Sequence, residues 1–320
     1  MATPVLLDCD TGTDDAVAIM LAALSPALEL VAVTTVNGNV PVEIVTENTL
    51  RVLQYVGRPD VPVHQGAAHA IDRGDFPVPR HQLRGFEMHG TYLDLPPSVV
   101  HARSTDAVEA LAREALAGAD RGTPITIIAT GPLTNIAECV RRHPEFVHAV
   151  ERIVIMGGGH ALGNVTPSAE FNFWADPEAA KEVLAAGFRD VLLVPLDATH
   201  LALVSGSDCA QLRALGTPAG TATAAVIEQR IDGHDASQPM AQLGTAPVHD
   251  AVCVAAVIRA QVISTVEVHV DVEVTGELTV GRSVIDLHRR SGRSPNARVA
   301  MSADAPAFVS VMLDVFAPPS

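Results

Sequence analysis

Short apolar runs alternate with stretches of helical periodicity along most of this chain. Residues 5–7 run into acids, and residues 30–36 end at Asn37-Gly38-Asn39. Residues 125–129 end at Thr130-Gly131, residues 153–156 at a triple glycine, and residues 191–196 at Asp197. Continuous apolar runs of this length suit strands buried on both faces, as in parallel sheets. Between them, residues 15–24, 42–56, 106–116 and 177–186 carry apolar positions at helical spacing. Strand alternating with helix predicts an α/β fold: a mainly parallel central sheet with helices on both faces, open and Rossmann-like.

The C-terminal part reads differently. Residues 266–274 and 283–287 alternate polar and apolar, which predicts a few antiparallel or edge strands, and a closing helix fits residues 306–315. No repeat, low-complexity tract or linker interrupts the chain, so residues 1–320 read as a single domain. Two stretches, 73–97 and 216–247, read as mobile segments bordering a site.

Composition narrows the function. The 320 residues are 48% hydrophobic and only 3% aromatic, so Ala, Val, Leu and Ile must fill the core. Twenty-one Lys and Arg against 37 Asp and Glu give a formal charge of −16. Such a balance argues against nucleic acid and anionic membranes as partners. Cys9, Cys139, Cys209 and Cys253 include no C-x-x-C pair, which leaves zinc knuckles and redox motifs without support. The start, MATPVLLDCD, has no basic n-region and reaches acids within ten residues, unlike a signal peptide, and no apolar run is long enough for a membrane span, so a cytoplasmic protein is expected.

Polar residues concentrate just after the predicted strands, where open α/β sheets bind ligands. Asp8, Asp10, Asp14 and Asp15 lie within eight residues and repel one another unless a cation or protons compensate. Oxygen donors of this kind suit a hard ion such as Ca²⁺ or Mg²⁺. Asp14 and Asp15 could instead cap the helix that begins there, but capping leaves Asp8 and Asp10 unexplained.

The stretch Asp8-Cys9-Asp10-Thr11-Gly12-Thr13-Asp14-Asp15-Ala16 resembles the N-terminal signature of the inosine–uridine nucleoside hydrolase family, with Thr11 where a proline is usual. The resemblance continues in order through Thr34-Thr35-Val36-Asn37-Gly38-Asn39, Ala129-Thr130-Gly131-Pro132-Leu133-Thr134-Asn135, Met156-Gly157-Gly158, Gly163-Asn164-Val165-Thr166-Pro167-Ser168-Ala169-Glu170-Phe171-Asn172, Asp197-Ala198-Thr199-His200 and Pro247-Val248-His249-Asp250. It covers nearly the whole chain.

The resemblance implies hydrolysis of the N-glycosidic bond of ribonucleosides, by a calcium-bound water that Asp10 deprotonates. Asp10, Asp15, the Thr130 carbonyl and Asp250 would hold Ca²⁺. Asp14, Asn164, Glu170 and Asn172 would bind ribose hydroxyls, with Met156 against the sugar. Asn39 would orient substrate or water. His249 and His89 would meet the base, and a homo-oligomer, dimer or tetramer, is expected. The chemistry needs such a set. Breaking the ribosyl C–N bond builds oxocarbenium character that fixed oxygens can stabilise, and a base leaves more easily when hydrogen-bonded or protonated.

Two departures bear on base preference. After Gly90 comes Thr91-Tyr92-Leu93-Asp94-Leu95, not the family's usual continuation, and residues 189–307 contain no Phe, Tyr or Trp. Tyr92 and Phe86 therefore stand as candidates for the missing base contact, and Tyr92 reads equally well as a partly buried loop anchor. A haloacid-dehalogenase-like phosphatase shares Asp8-x-Asp10 but wants Thr or Val where Gly12 stands. A calcium-dependent nucleoside or ribose binding protein without turnover is the other alternative.

Overall fold

The apolar runs become strands of one large sheet. The computed structural model describes residues 2–74, 76, 91–237 and 240–318. Its strands are β1 (Thr3–Cys9), β2 (Leu28–Thr35), β3 (Val63–Gln65), β4 (Thr126–Ala129), β5 (Arg152–Met156), β6 (Val191–Val194), β7 (Leu203–Ser205), β8 (Thr245–Pro247), β9 (Ile263–Val268), β10 (Val270–Val272), β11 (Ser283–Ile285) and β12 (Ala297–Ala303). Its helices are α1 (Thr13–Leu24), α2 (Val42–Tyr55), α3 (Ala107–Asp120), α4 (Thr134–Arg142), α5 (Phe146–Ala149), α6 (Phe171–Ala175), α7 (Pro177–Ala185), α8 (Leu196–Thr199), α9 (Gly206–Ala214), α10 (Pro218–Ser237), α11 (His249–Ile258) and α12 (Ala305–Phe316).

Eight strands form the central sheet in the order β3-β2-β1-β4-β5-β6-β12-β9. All neighbours are parallel except β9, which pairs antiparallel with β12 at one edge. Two small antiparallel pairs, β10-β11 and β7-β8, lie outside it. The strand order reverses between β1 and β4, so their carboxyl ends open the crevice in which such sheets bind ligands. Asp10 follows β1 there, and Thr130 follows β4.

Both faces of the sheet are covered. Val5, Leu7 and Cys9 point to one face and join Ile19, Leu21, Val252, Val254, Phe308 and Met312. Leu6 points to the other and joins Ile127, Ile153, Leu111, Ile136 and Val183. Two-sided burial is why these strands read as unbroken apolar runs. Each fully buried Val, Leu or Ile contributes roughly 1.5–3 kcal/mol, so the carboxyl-end loops rest on a rigid floor.

Three expectations need correction. Within the stretch 216–247, the described residues do not form a loose segment. They carry the 20-residue helix α10, which packs through Ala219, Ala224, Ile227 and Ile231 into the core. A further strand, β12, supplies the interior position between β6 and β9. Of the stretch 73–97, residues 91–97 lie along α2: Asn48 Oδ1 accepts from Leu93 N at 3.1 Å, and Arg51 sits 4.7 Å over the Tyr92 ring. The half-exposed Tyr92 is thus an anchor on α2. Phe86 and His89 lie outside the described residues.

Candidate active site

The acidic loop after β1 is buried throughout. Asp8, Asp10, Asp14 and Asp15 are each at most 4% exposed, which no solvated helix cap would be. Asp15 does act as a cap, because its Oδ2 accepts from Gly12 N at 2.9 Å. Its Oδ1 accepts from the Thr130 hydroxyl at 2.8 Å, tying β1's loop to β4's. Asp8 lies beneath the loop. Its Oδ1 accepts from Thr34 Oγ1 at 2.6 Å and from Asn135 Nδ2 at 2.8 Å, while its buried Oδ2 has no partner.

Asp10 is held by the loop after β2. Asn39 N donates to Asp10 Oδ2 at 2.7 Å, and a Cβ added to Gly38 would fall 2.0 Å from that same oxygen. Asn39 therefore reaches Asp10 through its backbone. The third wall is built around α6. Asn172 Nδ2 donates to the carbonyls of Thr130 at 2.8 Å and Met156 at 3.1 Å. Glu170 caps α6: it accepts from Asn172 N at 2.9 Å, Phe173 N at 3.2 Å and Gly158 N at 2.9 Å. Asn164 is exposed on the loop above, its Oδ1 accepting from Phe171 N at 2.9 Å.

The start of α11 closes the ring. Carboxylate oxygens of Asp14, Asp15 and Asp250 lie within 4.8 Å of one another, all buried. His249 Nδ1 meets the Thr199 hydroxyl at 2.7 Å, and its ring lies 5.5 Å from that of His200. Sequence reasoning did not single out Arg230. From α10 it donates through Nη1 to Asp14 Oδ1 at 3.1 Å and Thr13 Oγ1 at 2.9 Å, and through Nε to Pro247 O at 3.0 Å. It is 3% exposed, and nothing in a helix of weak amphipathicity marks one arginine as buried. His200, His234, Thr199 and Asn135 were likewise not assigned roles, although Thr199-His200 and Asn135 stand inside the recognised motifs.

Electrostatics follow from this crowding. Burial, then the charge of Asp14, raises the Asp15 carboxyl to about 7. Burial raises Glu170 to about 7 against its backbone donors, and Asp8 to about 7 against Thr34 and Asn135. Asp10 and Asp250 are pushed up by burial and then by their acidic neighbours, Asp15 for Asp10 and Asp14 for Asp250. Burial, outweighing the attraction of Asp14, holds His249 well below its ordinary value, so its imidazole is neutral. Among the described residues, several buried carboxyls with one guanidinium among them form a site short of positive charge. The donors are all oxygen, which fits a hard divalent cation.

Residues 5–310 match the family model described as inosine-uridine preferring nucleoside hydrolase. The chain belongs to this family. It is 39% identical over 318 residues to the pyrimidine-specific ribonucleoside hydrolase RihA of Escherichia coli O9:H4 (strain HS), covering 98% of each chain. It is 38% identical over 98% of each chain to the RihA of Salmonella gallinarum (strain 287/91 / NCTC 13346). Among solved structures it resembles a purine-preferring ribonucleoside hydrolase from Gardnerella vaginalis, with a TM-score of 0.87, 30% identity and 98% of each chain covered. It also resembles the plant nucleoside hydrolase PpNRh1, with a TM-score of 0.85, 28% identity and full coverage of both chains. The nucleoside hydrolase thus cleaves ribonucleosides to free base and ribose. Of the residues read from sequence, the hydrolase brings Asp10, Asp14, Asp15, Thr130, Met156, Glu170, Asn172, His249 and Asp250 around one crevice. Asn39 joins through its backbone, and Asn164 sits at the rim.

Proposed function

We propose that this hydrolase is a calcium-dependent enzyme acting on pyrimidine ribonucleosides. The observation that carries the metal is the buried set of Asp14, Asp15 and Asp250 with Asp10 beside it, oxygen donors that repel one another without a cation. Asp10, Asp15, Asp250 and the Thr130 carbonyl would hold Ca²⁺. When bound, it supplies Lewis acidity that makes a water easier to deprotonate.

The rest falls to the chain itself. Asp10, oriented by the Asn39 N–H, takes the proton of the attacking water. Asp14, Glu170, Asn172 and Asn164 hold ribose hydroxyls, and their negative charge and dipoles favour the oxocarbenium-like sugar. Neutral His249, with Nδ1 held by Thr199, offers its Nε2 side to the base. The pyrimidine preference is supported by the RihA relatives, which are named pyrimidine-specific. Site residues drawn from Asp10 to Asp250 support residues 1–320 as one catalytic domain. A cytoplasmic homo-oligomer completes the proposal; no helix among the described residues is long and apolar enough to cross a membrane.

Incubation with uridine, cytidine, inosine and p-nitrophenyl phosphate, followed by reducing-sugar and phosphate assays with and without chelator, tests this reading. Ribose release that favours uridine, disappears on chelation and returns with Ca²⁺ is expected. Undiminished turnover in metal-free protein overturns the metal assignment, and faster cleavage of inosine than uridine overturns the base assignment.

A further inference from the structure

Arg230 has donors that its known bonds do not use. Nε and Nη1 make all three bonds recorded for it, to Pro247, Thr13 and Asp14. The two N–H groups of Nη2 have no partner among the described residues, although Arg230 is 3% exposed. Nη2 is not among the fully buried atoms that lack a partner, so the little exposure Arg230 retains leaves this nitrogen open to a ligand that brings an acceptor. The place is specific. The guanidinium is bolted to Asp14, the acid assigned to a ribose hydroxyl, and to the strand end that leads into His249. Its free edge therefore lies where the sugar meets the base.

We propose that Nη2 of Arg230 donates to the carbonyl oxygen next to the glycosidic nitrogen, O2 of a pyrimidine, and so sets the preference for pyrimidine nucleosides. This rests on the pyrimidine reading above. Uracil and cytosine both carry that carbonyl. A purine offers only ring N3 in the equivalent place, set back by about a C=O bond length of ~1.2 Å. A donor fixed by three bonds cannot follow that retreat. The contact also strengthens during the reaction. As the C1′–N1 bond breaks, its electron pair passes to N1 and is shared with O2; the water's OH joins C1′ and its other proton goes to Asp10. A guanidinium on O2 stabilises the departing anion, a role for which residues 189–307, which contain no Phe, Tyr or Trp, provide no large stacking ring as substitute.

The test compares kcat/KM for uridine, cytidine and inosine in the calcium-loaded full chain and in its Arg230→Met and Arg230→Lys variants. Loss of the clamp on Asp14 lowers all three substrates together. Loss of the O2 contact lowers the uridine/inosine and cytidine/inosine ratios besides, by about tenfold or more for a charge-assisted hydrogen bond. Arg230→Lys, which keeps the charge but not the fork, is expected to fall between. Ratios within about twofold of wild type in both variants overturn the proposal, whatever the absolute loss. If Arg230→Met does not fold, wild-type hydrolysis of 2-thiouridine serves, because sulfur is a poorer acceptor than oxygen. Slower cleavage than uridine is expected, and equal or faster cleavage overturns the contact. A wild type that prefers inosine defeats the pyrimidine reading alone, since the shift caused by Arg230→Met is still measurable.

Discussion

Replacing Gly38 by alanine isolates the placement of Asp10 from everything else in the site. The added Cβ would lie 2.0 Å from Asp10 Oδ2, 2.5 Å from its Cβ and 2.6 Å from its Cγ. Real Cβ atoms essentially never come within 3.0 Å, so Asp10 or the loop must retreat by about 1 Å. That movement breaks the 2.7 Å bond from Asn39 N, a charge-assisted bond that contributes roughly 1.5–3 kcal/mol, or about 10- to 150-fold in rate. A shift of about 1 Å at a reacting group costs on the order of a hundredfold in its own right. The backbone does not object, because Gly38 is not among the glycines with positive φ. Gly38→Ala should therefore fold, melt within a few degrees of wild type, and lose about a hundredfold in kcat/KM for uridine. Gly206→Ala, with nothing within 4 Å of its added Cβ, is the matched control and should be fully active. A Gly38→Ala enzyme within about threefold of wild type would mean that Asp10's position does not limit the reaction.

Metal-free protein should lose stability as pH rises. Asp8, Asp15 and Glu170 have carboxyls raised to about 7, so the folded state binds more protons than the unfolded state between about pH 4 and 7. Their contribution is fully present below pH 4 and fades towards 7; melting temperature should fall across that window, and added Ca²⁺ should raise it more at pH 8 than at pH 5. A flat profile with an equal calcium effect at both pH values would contradict this electrostatic account. His249→Ala should slow uridine cleavage far more than cleavage of p-nitrophenyl riboside, whose leaving group needs no help. Equal losses on the two substrates would reassign His249 to structure.

The acid loop, the asparagines after β2 and the His249-Asp250 pair were legible because strand ends carry ligands in open sheets and because the motifs fall in family order. The helices 42–55 and 305–316 were legible from their apolar stripes. Helix α10 was not: it opens on Pro218-Ala219-Gly220-Thr221, the vocabulary of a loop, and its apolar residues follow no single face. Strand β12, Ala297–Ala303, mixes Arg298 and Ser302 into its run, although Arg298 turns outward to Asp190 at 2.8 Å. Arg230 illustrates the general gap. Burial of a charge is decided by tertiary partners 216 and 217 residues away in the chain, and no local pattern announces it.

The place of β12 in the sheet has a consequence for how the protein is made. Residues 297–303 fill the slot between β6 and β9, two strands that are synthesised well before them. Until that segment leaves the ribosome, β6 has an open edge and β9 has no neighbour in the sheet. Such edges are templates for pairing with other chains. Nascent chains halted between β9 and β12 should aggregate or be degraded, although Asp10, Asp15 and Asp250 have all been translated by then. Completion of β12, and not of the catalytic set, is what closes these open edges in the nascent chain.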